Sequence, residues 1–253
     1  MRSGSRPALR PTPPTHPVAR ALPVVAVLVV LASLGLVLAG AATARQAAGP
    51  RAAATESAPR PDTTVKLIPF GATRKAQTAA YNRRHYHQDT WKLTKPRVIV
   101  LHHTSGADWQ SAWNTFANNT AYTSIPGHPE KPGVSAHFIV DKDGTIYQCL
   151  PLGTRGRHAI GMNWTAVGIE IVQEDVPGKD GHYLDRQILK RPKQMAAALA
   201  LVRYLQGRFG IKTANVVGHA TANDSPYFKD YTGIKNAAGD WFAPEVKAFK
   251  ARL

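Results

Sequence analysis

The sequence predicts a single α/β domain with a central mixed β-sheet flanked by helices. Short β-branched and aliphatic runs at residues 97–102, 166–172 and 215–219 read as buried strands. Stretches of helical periodicity separate them, at 108–118 and 192–209. Between the apolar runs 136–140 and 145–150 stands Asp141-Lys142-Asp143-Gly144, whose aspartates and glycine tolerate positive φ and so signal a hairpin. Strands alternating irregularly with helices, with one hairpin among them, call for a mixed sheet.

The elements follow in order. Residues 73–86 mix polar and apolar side chains and predict a surface helix ahead of Pro96. After strand 97–102, Trp109, Ala112, Trp113 and Phe116 recur at helical spacing, with Asp108 placed to cap that helix. The prolines and glycines of 120–133 predict a loop, and the hairpin follows. After strand 166–172 a long loop is expected up to Pro192, where a helix starts that Gly210 ends. Strand 215–219 and a helix from about Pro244 complete the chain.

The first 63 of the 253 residues do not belong to that domain. Residues 1–20 are rich in proline and carry Arg2, Arg6, Arg10 and Arg20 without an acid: a basic cytoplasmic n-region. Residues 21–44 are apolar throughout, enough for the ~20 residues that cross a bilayer as a helix. They end in Ala42-Thr43-Ala44, which also fits a signal-peptide cleavage site. Signal peptide or membrane anchor, the segment implies export, and the two remain open. Residues 45–63 lack large apolar side chains and read as a flexible linker. Residues 64–253 hold all five tryptophans and suffice for one core.

The net charge is +16, and only four of the basic residues precede residue 45. Export and the absence of a nucleic-acid motif argue against nucleic acid, leaving an anionic extracellular partner or plain solubility. The single cysteine, Cys149, excludes an internal disulfide and is expected as a buried, unreactive thiol.

Two histidines stand out because each closes a strand: His102 after Val98-Ile99-Val100-Leu101, and His219 after Val216-Val217-Gly218. Neutral imidazole on a stiff strand end is a good metal ligand, although a lone histidine there also serves simply as a hydrogen-bonding group. Asp230 lies downstream as a third donor. Glu170, inside Val167-Gly168-Ile169-Glu170-Ile171, is either turned to water or retained for chemistry, since an unpaired buried carboxylate is costly. Three ligands, an open fourth position and a free carboxylate are the parts for metal-assisted hydrolysis.

Four motifs in order, Val98–Thr104, Ser135–Tyr147, Val167–Glu170 and Val216–His219, resemble the zinc-dependent N-acetylmuramoyl-L-alanine amidases of type 2, whose fold is shared with the peptidoglycan recognition proteins. The likeness runs from about Leu67 to Trp241. It implies an exported Zn²⁺ hydrolase that cuts the amide between N-acetylmuramic acid and L-alanine in peptidoglycan. Water made nucleophilic by zinc would attack, with Glu170 as general base. His102 and His219 match two zinc ligands, and Asp230 is the expected third. The family usually has a lysine two before that aspartate and proline-glycine after it; here Lys229 is adjacent and Tyr231-Thr232-Gly233 follow, so Asp224 and Asp240 stand as fallbacks. His158 and Lys229 are the candidates for holding the developing oxyanion, and His103, Asn163 and Trp164 for lining the substrate cleft. His137, at a position usually histidine or aromatic, is expected to be a hydrogen-bonded strand residue. A monomer is expected, with membrane contact only through residues 21–44 if uncleaved. The alternative is a recognition module that binds wall fragments without cutting them; such members typically lose a zinc ligand, whereas His102, His219 and aspartates in range remain here.

Overall fold

A computed structural model describes residues 58–122 and 129–253. The n-region, the apolar segment 21–44 and most of the linker lie outside the described residues; within them, no helix is long and apolar enough to cross a membrane.

Six strands form one sheet: β1 (Thr64–Val65), β2 (Val98–Ser105), β3 (Phe138–Val140), β4 (Ile146–Gln148), β5 (Ala166–Glu174) and β6 (Val216–Gly218), in the order β1-β4-β3-β5-β2-β6. Only the hairpin pair β3–β4 is antiparallel, as its turn sequence requires; the other pairs are parallel. The sheet is therefore mixed. The helices are α1 (Ala72–Tyr86), α2 (Trp109–Ala117), α3 (Gly181–Leu189), α4 (Pro192–Phe209) and α5 (Ala243–Lys250). Asp108 caps α2 by accepting from Ser111 N at 2.8 Å, and Gly210 ends α4 at φ 68°, where a side chain would be strained.

The helix α3 departs from expectation, because residues 173–191 read as loop. Asp180 caps it, accepting from Tyr183 N at 2.8 Å. Leu184 and Ile188 then bury against the sheet. With two apolar anchors in nine residues, its periodicity is too short to register in sequence, and tertiary burial decides it.

Central strands are buried on both faces, so β2 and β5 are nearly continuous apolar runs. Ile99, Leu101, Val167, Ile169 and Ile171 pack with Met195, Ala198, Val202 and Leu205 of α4 and with Trp241 and Phe249. Val98, Val100 and Ala166 face the other way, against Ala159, Met162 and Ala222. That second face carries the chemistry. Strand alternation puts His102 on it, and the β2–β5 register sets Glu170 directly beside His102.

His137 sits fully buried just ahead of β3. One ring nitrogen donates to Thr154 O at 2.9 Å while the other accepts from Gly168 N at 3.1 Å, which only the neutral ring can do. Burial lowers its pKa to about 4. A histidine whose folded pKa lies below its unfolded value of ~6.5 contributes stability that is complete above ~6.5 and fades as pH falls toward 4. Urea unfolding should therefore show about 3 kcal/mol lost from this residue across that window. His137→Phe should flatten the slope; an unchanged slope would contradict the assignment.

Candidate active site

His102 lies within β2, which runs on to Ser105 instead of closing at the histidine, and His219 directly follows β6; their Nδ1 atoms are 3.1 Å apart. The third group is Asp240, with Oδ1 3.0 Å from His219 Nδ1 and Oδ2 3.3 Å from His102 Nδ1. Asp230 is not there. Its carboxylate meets His85 Nδ1 of α1 at 2.7 Å and accepts from Thr232 N at 2.8 Å. The expectation for Asp230 is thus corrected in favour of the fallback Asp240, and Asp224 is an exposed residue at the end of a 3₁₀ turn that begins at His219. The spacing argument failed because the chain takes a detour through the His85 cluster before returning to the sheet. Its return depends on Gly218: a Cβ there would collide with the carbonyl of Trp241.

The donor set fits a metal. Asn236 Nδ2 donates to Ile160 O at 2.8 Å and to Asn223 Oδ1 at 3.0 Å, so its Oδ1 must face His219 Nε2, 3.0 Å away. His219 Nε2 then carries the proton and Nδ1 presents a lone pair to the centre. His102 Nε2 is occupied by His158 Nδ1 at 3.0 Å, which leaves Nδ1 for the same point. Burial, then the His219 charge, lower the His102 pKa to about 4, so the ring is neutral. Burial alone would raise Asp240, but its contacts with His102 and His219 hold it well below the usual carboxylate range. Two imidazole nitrogens and a carboxylate converging on one point suit a cation. A tetrahedron with ~2.0–2.1 Å zinc bonds has edges of about 3.3–3.4 Å, close to the spacings here. These three are the group of described residues able to hold a metal.

Glu170 stands beside that group, half-buried and not part of it. Burial pushes its carboxyl well above the ordinary value, and the Asp240 charge adds to the push. Cys149 lies near, a buried free thiol raised to about 12 by burial and by Glu170.

A cleft of about 230 Å³ opens onto His219 and is lined by Tyr122, Arg157, His158, Lys235 and Asn236 among others. Several expected site residues take other places. His158 edges the cleft, but Nδ1 meets His102 and Nε2 is buried, so the ring positions His102 instead of donating to a substrate. Gly168 makes room for it: a Cβ there would lie 2.7 Å from that ring. Lys229 holds its ammonium 4.7 Å from the Tyr231 ring and 5.9 Å from Trp164, away from the cleft, whose cations are Lys235 and Arg157, the latter donating to Glu130 O and Pro132 O. His103 alternates to the opposite sheet face and pairs with Asp185 of α3 at 2.8 Å. Asn163 lines the cleft wall with every polar atom engaged inside the protein, accepting from His158 N and Ala159 N at 2.9 Å and donating to Tyr81 Oη at 3.2 Å. Trp164 packs under Arg97, its centroid 5.0 Å from the guanidinium. Lys235 and Asn236 were missed because they sit in a loop without periodicity; their one signal is position, shortly before an aspartate that precedes a buried Trp.

The family model for N-acetylmuramoyl-L-alanine amidases (Amidase_2) matches residues 92–230. The chain belongs to this family. No curated protein matches. Among solved structures, a mutant endolysin from Bacillus subtilis is 28% identical over 63% of this chain and 84% of its own, with a TM-score of 0.41. The endolysin LysCS from Clostridium intestinale is 21% identical over 77% and 97%, TM-score 0.46. The amidase LysC from the same organism is 24% identical over 74% and 96%, TM-score 0.44. The protein is thus an N-acetylmuramoyl-L-alanine amidase built on a mixed six-stranded sheet, with a His-His-Asp group able to hold a metal. The family match ends at Asp230, so the amidase's Asp240 lies beyond it.

Proposed function

We propose that the amidase is an exported zinc enzyme that hydrolyses the amide between N-acetylmuramic acid and L-alanine in peptidoglycan. The observation that carries this is the convergence of His102, His219 and Asp240 next to the free carboxylate of Glu170. When bound, zinc supplies Lewis acidity, lowering the pKa of water to about 7 and polarising a carbonyl. Asn236 and His158 orient the two imidazoles from behind. Glu170 takes the proton of the attacking water and returns it to the departing L-alanine nitrogen. Its raised proton affinity suits that exchange, since a cation at the His-His-Asp group offsets the push from Asp240 but leaves that of burial. Lys235, on the cleft wall, is the cation placed to meet the negative charge that develops on the carbonyl oxygen.

Export rests on residues 21–44, which act as a cleaved signal or a retained anchor. The full chain expressed in a bacterium should be recovered outside the cytoplasm, and its N-terminal sequence should start after Ala44 if cleaved or near Met1 if anchored. The recovered protein should turn purified peptidoglycan into peptide-free glycan and peptides with a new L-alanine amino terminus. Release at any other bond overturns the substrate assignment, and a soluble cytoplasmic protein overturns export.

A further inference from the structure

Trp241 and Phe242 link Asp240 to α5, and the fully buried Trp241 adopts φ 53°. A left-handed backbone is costly for a bulky residue and persists only where the surroundings over-determine it. Here the chain is gripped on both sides of that residue. Ahead of it, Asp240 O accepts from Ala220 N at 2.8 Å, one position from His219. Beyond it, Phe242 N donates to Asp185 Oδ2 at 3.3 Å.

Asp185 belongs to α3 and has no exposed surface. Its other oxygen, Oδ1, accepts from His103 Nδ1 at 2.8 Å. One carboxylate thus ties the neighbour of His102 to the segment that carries Asp240, working from the sheet face opposite His102. Burying a carboxylate is costly, and this one stands outside the His-His-Asp group and the cleft. The rest of α3 presses on the same segment. A Cβ at Gly181 would collide with the Gly239 carbonyl, and the His182 ring stacks on Phe242 with centroids 3.9 Å apart. His182 and Arg186 also reach Glu245 of α5, at 2.9 and 3.1 Å.

We propose that Asp185 is a positioning residue for the metal group, holding Asp240 in place against His102 and His219 through Phe242 N and His103. The proposal rests on the reading of that group as a zinc site. Ligands already in place bind a metal more tightly, because binding then spends nothing on ordering them. Without Asp185 the grip beyond Trp241 is lost, its backbone relaxes from the left-handed conformation, and the Asp240 carboxylate turns from the two imidazoles.

Zinc titration of the metal-stripped full chain against a chromophoric chelator tests this, with thermal melts of the metal-free proteins alongside. Asp185→Ala should raise the zinc dissociation constant about tenfold or more. It should also melt lower, since His103 and Phe242 N lose their acceptor. The double variant His103→Leu with Asp185→Leu separates the two effects. Replacing a buried pair by apolar groups of similar volume is often neutral for stability or stabilising. That variant should melt close to the parent yet bind zinc as weakly as Asp185→Ala, because Phe242 N still has no acceptor. Parent-like zinc affinity in either folded variant overturns the proposal and leaves Asp185 a purely structural residue. A parent that binds no zinc overturns the zinc reading itself, and the proposal falls with it.

Discussion

Asp240→Ala should lose zinc binding and amidase activity together, whereas Asp230→Ala should keep both. That is the largest expected effect, and it runs against the order in which spacing ranks the two aspartates. Asp240 bridges the two ring nitrogens at 3.0 and 3.3 Å, so its loss takes away one of three donors and the only negative charge among them. Loss of even an outer partner of a metal ligand costs 10–100-fold in affinity or activity, and loss of a ligand costs more. Asp230 supports the fold instead. Its side chain is fully buried against His85, which Glu130 holds from the other side at 2.9 Å. Burial alone would lower the His85 pKa, but these two carboxylates raise it, so the cluster is a charged one. Asp230→Ala should therefore cost about 1–3 kcal/mol, read as a lower melting temperature with full zinc content. Metal analysis of purified full-length variants decides between the two aspartates. Full zinc occupancy in Asp240→Ala, or metal loss in a folded Asp230→Ala, would falsify the ligand assignment.

Glu170→Gln leaves zinc content intact and lowers turnover by about 10²-fold or more. Glutamine keeps the shape beside His102 but cannot take a proton from water. The stability arm separates catalysis from structure. An acid whose folded pKa is raised above its unfolded value is held in the fold at a cost once it ionises, so removing its charge relieves that cost at neutral pH. The Gln variant should thus melt no lower than the parent while being nearly inactive. A structural role predicts the reverse, lower stability with activity largely kept. Lys235→Met should reduce turnover about tenfold or more with zinc unchanged, as loss of an oxyanion donor does. If Glu170→Gln turns over normally, the proton is carried by another group.

Sequence alone determined the main frame and two corners of the site. Short unbroken runs rich in β-branched residues favour buried strands over helices, so β2, β5 and β6 were legible, along with the hairpin turn and the capped ends of α2 and α4. Once the strands are known, His102, His219 and Glu170 follow, because a side chain's place on a strand is fixed by alternation. The rest depended on separation in sequence. Asp240 reaches His219 through a loop with no period, whose path is set by contacts such as the Trp241 carbonyl against Gly218 and Asp230 against His85. His103, one residue from His102, went to the opposite face by that same alternation, and Asn163 and His158 spend their polar atoms inside the protein. Local regularity is written in neighbouring residues. The third member of the His-His-Asp group and the supports behind the imidazoles arise only where distant segments meet, and there the tertiary structure decided.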